Sequence, residues 1–443
     1  RIREAGFDAV AVMLLNSYRE GTLERRVAGL LRADLPGVLV TASCDIWPEM
    51  REYERALAAA MNAYVHPLMH AYFDRLEQRL AGLGVTAPVY ITANNGGTVS
   101  LETARARPIE SVLSGPASGV LAASRVGAGY PELLTFDMGG TSTDTSICRA
   151  GTLELTYGTM IGDYPLMLPV VAVSAIGAGG GSIVWIDREG LLKVGPESAG
   201  AVPGPVCYGQ GGERPTVTDC YVLLGYLNPE RFLDGRMRLD ALAARDALAP
   251  LAARLGMADA VEVAAAALRV ATAKMATELG KLLAQRGLDP RGFTLAAFGG
   301  AGPTHASLLA EEASLEAVLV PRSPGTFCAL GAILADVRRD YVAPSRVMIG
   351  RDREAIAGIR TAVEALERDA LAWIAREGSI IGAPELRLTA DMRYPAQAYE
   401  LAIAVPGSDR TSLTAERLVA LFSAEHERLY GFHEAGSEVQ VTN

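Results

Sequence analysis

The chain has 443 residues, 50% of them hydrophobic and 21% charged, with a net charge of −10. That composition argues against a disordered chain, and the lack of any Lys/Arg-rich run argues against nucleic acid as a partner. No apolar run approaches the ~20 residues a membrane span needs, no signal peptide is visible, and the five scattered cysteines form no CxxC, so a cytoplasmic protein with reduced thiols and no membrane partner is expected.

Residues 9–16 read as a strand, 21–33 as a helix, and 51–82 as a long amphipathic helix that Pro67 kinks or restarts. "PVYITA" is a strand followed by a turn, and "SGPASGVLAASRV" is a helix entered through Ser114, Gly115 and Pro116. "ELLTF" and "TDTSIC" read as two antiparallel strands around a Gly-Gly turn, and "RAGTLELTYG" continues the meander. Residues 169–195 suggest another strand pair around the loop "GAGGGS", with "DREG" as a later hairpin turn. Residues 195–215, rich in Gly and Pro, read as a long irregular loop. A helix then begins near "TVTD", with Thr218 or Asp219 as its N-cap.

Ala-rich helices follow over 238–256 and 259–286, then the strand "TLAAF", a glycine loop opening a helix at "GGAGPTHA", the strand "AVLV" and a helix around "GTFCALGAILADV". From 343 on, a separate α+β piece carries a hairpin in "LRLTADMRYPAQAYELAIAV". The sequence reads as opening and ending mid-fold, so the expected division is a remnant of the N-terminal lobe (1–50), a nucleotide-binding core (51–342) and a truncated C-terminal α+β domain (343–443).

The chemistry concentrates in "TFDMGGTSTD". A Gly-Gly turn lets backbone amides converge on an anion without Cβ atoms in the way. Gly139, Gly140, Thr141, Ser142 and Thr143 then offer amide and hydroxyl donors to phosphate. Asp137 and Asp144 beside a phosphate require a cation, and Mg²⁺ suits carboxylate, water and phosphate oxygens, with Asp137 as the expected ligand. A plain hairpin explains the turn equally well. "AFGGAGPTHA" adds a strand-to-helix turn at Gly299, Gly300 and Gly302, whose helix N-terminus favours an anion. There is no Walker A loop, and "GAGGGS" ends in Ser182 where a dinucleotide-binding turn needs Gly. Gly179 and Gly180 are either ligand-facing backbone or a hairpin loop. His66 and His70 lack a third metal ligand, and His305 is either packed or in contact with ligand.

The chain resembles the hydantoinase A / 5-oxoprolinase family, which also includes ketone carboxylase subunits. The residues that carry the resemblance are "REYER", "NAYV", "SGPASGV", "TFDMGGTSTD", "AIGAGGGSI", "PTVTD", "AFGGAGPTHA" and "ALGAILAD", in that order along the chain. The resemblance implies an α/β, two-lobed, actin-like ATPase fold of the acetate kinase/Hsp70/actin type, with ATP and Mg²⁺ as cofactors. It implies phosphorylation of a cyclic-amide oxygen followed by hydrolysis, and a B-type subunit or domain as partner. By position it places Asp137, Asp144 and Asp219 among the catalytic residues; a helix cap remains the alternative for Asp219. The family's first phosphate hairpin would precede Arg1, and its "MRYxGQ" pattern stands here as Met392 to Gln397 with Ala396 in the Gly position. Alternatives of another kind are an ATP-dependent ketone carboxylase subunit and a nucleotide-binding regulatory or chaperone-like module. Substrate and homo-oligomerisation stay open.

Overall fold

A computed structural model describes residues 2–349, 353–377, 383–410 and 412–443. At its centre lies a six-stranded mixed sheet. The strand Glu132–Met138 pairs antiparallel with Thr143–Arg149 on one side and parallel with Thr294–Phe298 on the other. Ser174–Ile176 extends the first edge and Ala317–Leu319 the second.

The near-continuous apolar runs in these strands follow from burial on both faces. Leu134, Phe136, Leu295 and Ala297 point to a core shared with Met275, Leu279 and Leu309. Leu133, Ala296 and Phe298 point the other way, onto Ala122, Ala123 and Phe327. The first face is covered by the helices Ala260–Ala284 and Gly302–Glu312, the second by Ser114–Val126 and Phe327–Leu334. Asp259 caps the 25-residue helix Ala260–Ala284, accepting hydrogen bonds from the Val261 and Glu262 amides.

Toward the N-terminus, Ala9–Val12 and Leu39–Ala42 form a parallel pair against the long helix Glu52–Gly82. The first strand is shorter than the expected 9–16, because the backbone turns through Asn16 at φ +61°. Pro67 lies inside one 31-residue helix and does not restart it. Arg55 of "REYER" is 2% exposed; it faces Glu24 at 3.6 Å and also bonds Glu52, Ser17 and Ser43. Glu24 in turn accepts from Ser17, Ser43 and the amides of Leu14 and Cys44. The four bonds on Glu24 are what make a buried ion pair tolerable, with Arg55 Nε left without a partner, so the motif locks the long helix to the strand pair.

The expected strand pair over 169–195 is not one pair. Ser174–Ile176 joins the central sheet, whereas Ser182–Ile186 forms a hairpin with Leu192–Ser198. The "GAGGGS" loop therefore crosses between two sheets. The second of these strands also occupies the start of the segment read as irregular loop. Beyond Val347, a four-stranded sheet (Val347–Ile349, Val439–Val441, Leu388–Arg393 and Leu401–Val405) packs with the helices Arg353–Glu377 and Ala415–Tyr430 around a core of its own. No helix among the described residues is long and apolar enough to cross a membrane.

Candidate active site

Asp137 and Asp144 are directly opposed in the register of the central hairpin. Both are partly buried. Burial pushes the Asp137 carboxyl up from its ordinary value, with the Cys328 thiol pulling part of the way back. Burial also raises Asp144, and the charge on Asp137 raises it further. Both carboxyls are thus disfavoured in their charged form, a state that a proton or a nearby cation relieves.

The turn between them is open to solvent at Gly140 and Thr141. The Gly139 amide closes the turn by donating to the Ser142 carbonyl at 3.0 Å. Among the described residues, the amides of Gly140, Thr141 and Ser142 have no acceptor. They are the convergent donors an anion requires. Thr143 is not among those donors: it is fully buried, and its hydroxyl donates to the Ala178 carbonyl at 2.6 Å.

The amides of Gly179 and Gly180 are already spent within the protein. The Gly180 amide donates to the Gly139 carbonyl at 3.0 Å and the Gly181 amide to the Gly140 carbonyl at 2.6 Å. The Gly179 amide donates to the Ser182 hydroxyl at 2.8 Å. A Cβ on Gly179 would meet Gly140 and Ser142 backbone at 2.9 Å, so these glycines allow one loop to buttress the other. Thr218 fastens the buttress, its amide and hydroxyl both donating to the Gly180 carbonyl at 2.8 Å. Lys274 reaches the same loop, donating to the Gly177 carbonyl at 3.1 Å.

The third glycine loop closes on the same point. Asp137 and Phe298 are register partners, so Gly299 follows immediately beside the hairpin. The Ala301 amide donates to the Met138 carbonyl at 2.8 Å. Gly302 is buried, with the Phe136 carbonyl 3.1 Å from where its Cβ would be, while Gly300 is exposed with open space around it. The helix Gly302–Glu312 therefore starts against the carboxylate pair with its N-terminus toward the hairpin.

Of the two readings of Asp219, catalytic or capping, its hydrogen bonds fit the capping one. The N-cap of Val217–Leu223 is Thr216, not Thr218 or Asp219, and Asp219 is the third residue of a capping box. Its fully buried carboxylate accepts from the amides of Val206, Cys207 and Thr216 at 3.2, 2.7 and 2.7 Å, and from the Thr216 hydroxyl at 2.8 Å. Three of these bonds fall on Oδ2 and one on Oδ1, so the carboxylate ties the 206–207 segment to the start of the helix. His305 is also structural. Thr272 donates its hydroxyl to Leu268, so it accepts from His305 Nε2, and Tyr221 donates to Nδ1 at 2.7 Å. Burial holds this neutral imidazole at about 4.

Cys328 is the residue that sequence reasoning passed over. Its thiol donates to Asp137 Oδ2 at 3.3 Å, and burial, then the Asp137 charge, pushes it up to about 12. It stands in "GTFCALGAILAD", but nothing in that spacing marks the thiol as a neighbour of Asp137, 191 residues away.

No cluster of three or more His, Cys, Asp or Glu suited to a metal exists among the described residues. Two opposed carboxylates beside free amides suit an ion that takes one or two protein ligands and completes its shell with water and phosphate.

A family model described as "Hydantoinase/oxoprolinase" matches residues 55–341. Caprolactamase subunit alpha of Pseudomonas jessenii is 34% identical, the match covering 100% of this chain and 64% of that protein. 5-Oxoprolinase 1 of Arabidopsis thaliana is 30% identical over 97% of this chain and 35% of its own length. The crystal structure of the ATP-dependent caprolactamase superposes with a TM-score of 0.84 at 32% identity, covering 99% of this chain and 65% of that one. Nucleotide-free acetone carboxylase superposes at 0.75 with 27% identity, covering 100% and 64%. The chain thus spans just under two thirds of caprolactamase alpha and about a third of the plant oxoprolinase. It belongs to the hydantoinase/oxoprolinase family.

Proposed function

We propose that this chain is the nucleotide-binding part of an ATP-dependent cyclic-amide hydrolase, with the two-lobed actin-like ATPase fold. The observation that carries this reading is the convergence of two glycine turns, 139–142 and 299–302, on the Asp137–Asp144 pair. The family membership and the likeness to an ATP-dependent caprolactamase support it.

The free amides of Gly140, Thr141 and Ser142 bind and orient the terminal phosphates of ATP. Asp137, with Asp144 beside it, would hold Mg²⁺, which would supply charge neutralisation between carboxylate and phosphate. The oxygen of the cyclic amide attacks the γ-phosphorus and ADP leaves. Water then adds to the activated carbon and the C–N bond of the ring breaks, leaving an acyl phosphate, and a second water displaces the phosphate from that carbon. The nitrogen takes up a proton, and inorganic phosphate and an open-chain amino acid result. Activation makes a good leaving group of an oxygen that is otherwise a poor one. A B-type subunit or domain completes the site, in keeping with the relatives named as subunits.

The test is ATPase activity of the full-length protein with its B-type partner across hydantoins, 5-oxoproline and caprolactam. Stimulation by at least one cyclic amide is expected; none by any would overturn the reading. A ketone carboxylase subunit is the second reading, favoured by the likeness to acetone carboxylase. Turnover dependent on both bicarbonate and a ketone would select it.

A further inference from the structure

A second cavity, of about 630 Å³, opens between the N-terminal strand pair, the residues around Arg107, the segment 339–342 and the helix Arg353–Glu377. None of the residues of the three glycine loops lines it. Four hydrogen-bond donors around it have no acceptor: Arg107 Nε, Arg339 Nε, Tyr341 Oη and Trp373 Nε1. Two of these side chains are more than nine-tenths buried, Arg107 at 8% exposure and Trp373 at 6%. The Arg339 guanidinium lies 5.2 Å from the Tyr341 ring centre and 5.9 Å from that of Trp373. Neither Arg339 nor Arg376 forms an ion pair among the described residues. Burial, then the like charge of Arg107, pushes the Arg339 guanidinium down from its ordinary value.

Buried donors without acceptors are rare because each forfeits its hydration. A guanidinium fork held against aromatic faces is the usual receptor for a carboxylate. Asp369 lines the same cavity and offers an ammonium partner. We propose that this cavity binds a small zwitterionic amino acid, its carboxylate on Arg339 and Arg376 and its ammonium toward Asp369. That is the chemical class released when a lactam ring opens. The inference rests on the lactam-hydrolase reading only for its choice of probes, because the cavity and the glycine loops share no residue.

The experiment is calorimetric titration of the full-length protein with 6-aminohexanoate, with glutamate and with inorganic phosphate, without nucleotide. Binding of at least one amino acid is expected, weakened about tenfold or more by Arg339→Gln. Trp373→Phe, which removes the indole N–H together with part of the ring, should weaken it in the same direction. Asp144→Asn should leave it unchanged, so a failed nucleotide site and a failed amino-acid site give different results. Should Arg339→Gln not fold, Trp373→Phe decides. Absence of amino-acid binding, binding of phosphate alone, or indifference to both substitutions overturns the proposal.

Discussion

Gly299 is pressed against Asp137: a Cβ at Gly299 would lie 2.3 Å from Asp137 Oδ1 and 2.6 Å from the Met138 carbonyl oxygen. Its φ of +82° is also one that side chains resist. Gly299→Ala therefore carries a double penalty. Chemical unfolding should show a loss of about 2–3 kcal/mol. Turnover in the full-length protein should fall about 100-fold, as expected when a carboxylate is displaced by about an ångström.

Asp137→Asn and Asp144→Asn should separate activity from stability. Both carboxyls are raised by burial, so the fold bears a charge it disfavours. Removing that charge leaves stability at pH 7 without Mg²⁺ equal or higher. Mg·ATP turnover should nevertheless fall about 100-fold or more. A clear loss of thermal stability in both variants would show the pair to be structural instead.

Asp219 should behave in the opposite way. Asp219→Ala strands the amides of Val206, Cys207 and Thr216 in the interior. Denaturant unfolding should register about 3 kcal/mol or more of destabilisation. Activity per folded molecule at low temperature should be largely kept, whereas a catalytic role would abolish it even in well-folded protein.

Asp391 gives the C-terminal piece a pH dependence. Burial pushes it up to about 6 from an ordinary 3.8, with Asn443 partly offsetting and Glu49 and Glu400 adding to the rise. A raised carboxyl binds its proton more tightly in the folded chain. Its contribution is thus fully present below pH 4 and is lost as pH climbs through 6, flat above. After allowance for partial exposure the loss is about 1–2 kcal/mol. Urea titrations at pH 4 and pH 7 should show this fall in the parent and not in Asp391→Asn; equal falls in both would assign the effect elsewhere.

Ala396 sits at φ +68°, a left-handed conformation, where the family pattern "MRYxGQ" has Gly. Ala396→Gly relieves the Cβ clash and should stabilise the C-terminal hairpin by about 1 kcal/mol, read from the urea midpoint. A destabilised variant would mean that unfolded-chain entropy outweighs the strain.

Much of this architecture was legible in the residues. The hairpin around Gly139–Gly140, the strand-to-helix turn at Gly299 and the long helices all follow from periodicity and turn chemistry. What one sequence hides is which donors are already spent. Thr143, Gly179 and Gly180 belong to residue types that bind phosphate, yet Ala178, Ser182 and Gly139 take their hydrogens. In the sequence Asp219 fits a catalytic residue and a cap equally, and the four bonds it accepts are what favour the cap. Cys328 reaches Asp137 through a helix packed on the sheet's far face, a contact that no local spacing encodes.

The central claim is that the terminal phosphates of ATP sit on the amides of residues 140–142, with Mg²⁺ between them and the Asp137–Asp144 pair. The most direct measurement is an experimental structure of the full-length protein with Mg²⁺ and a non-hydrolysable ATP analogue. The account predicts phosphate oxygens about 3 Å from those amides. An analogue bound elsewhere, with the Gly140 turn and both carboxylates facing only solvent, would contradict it.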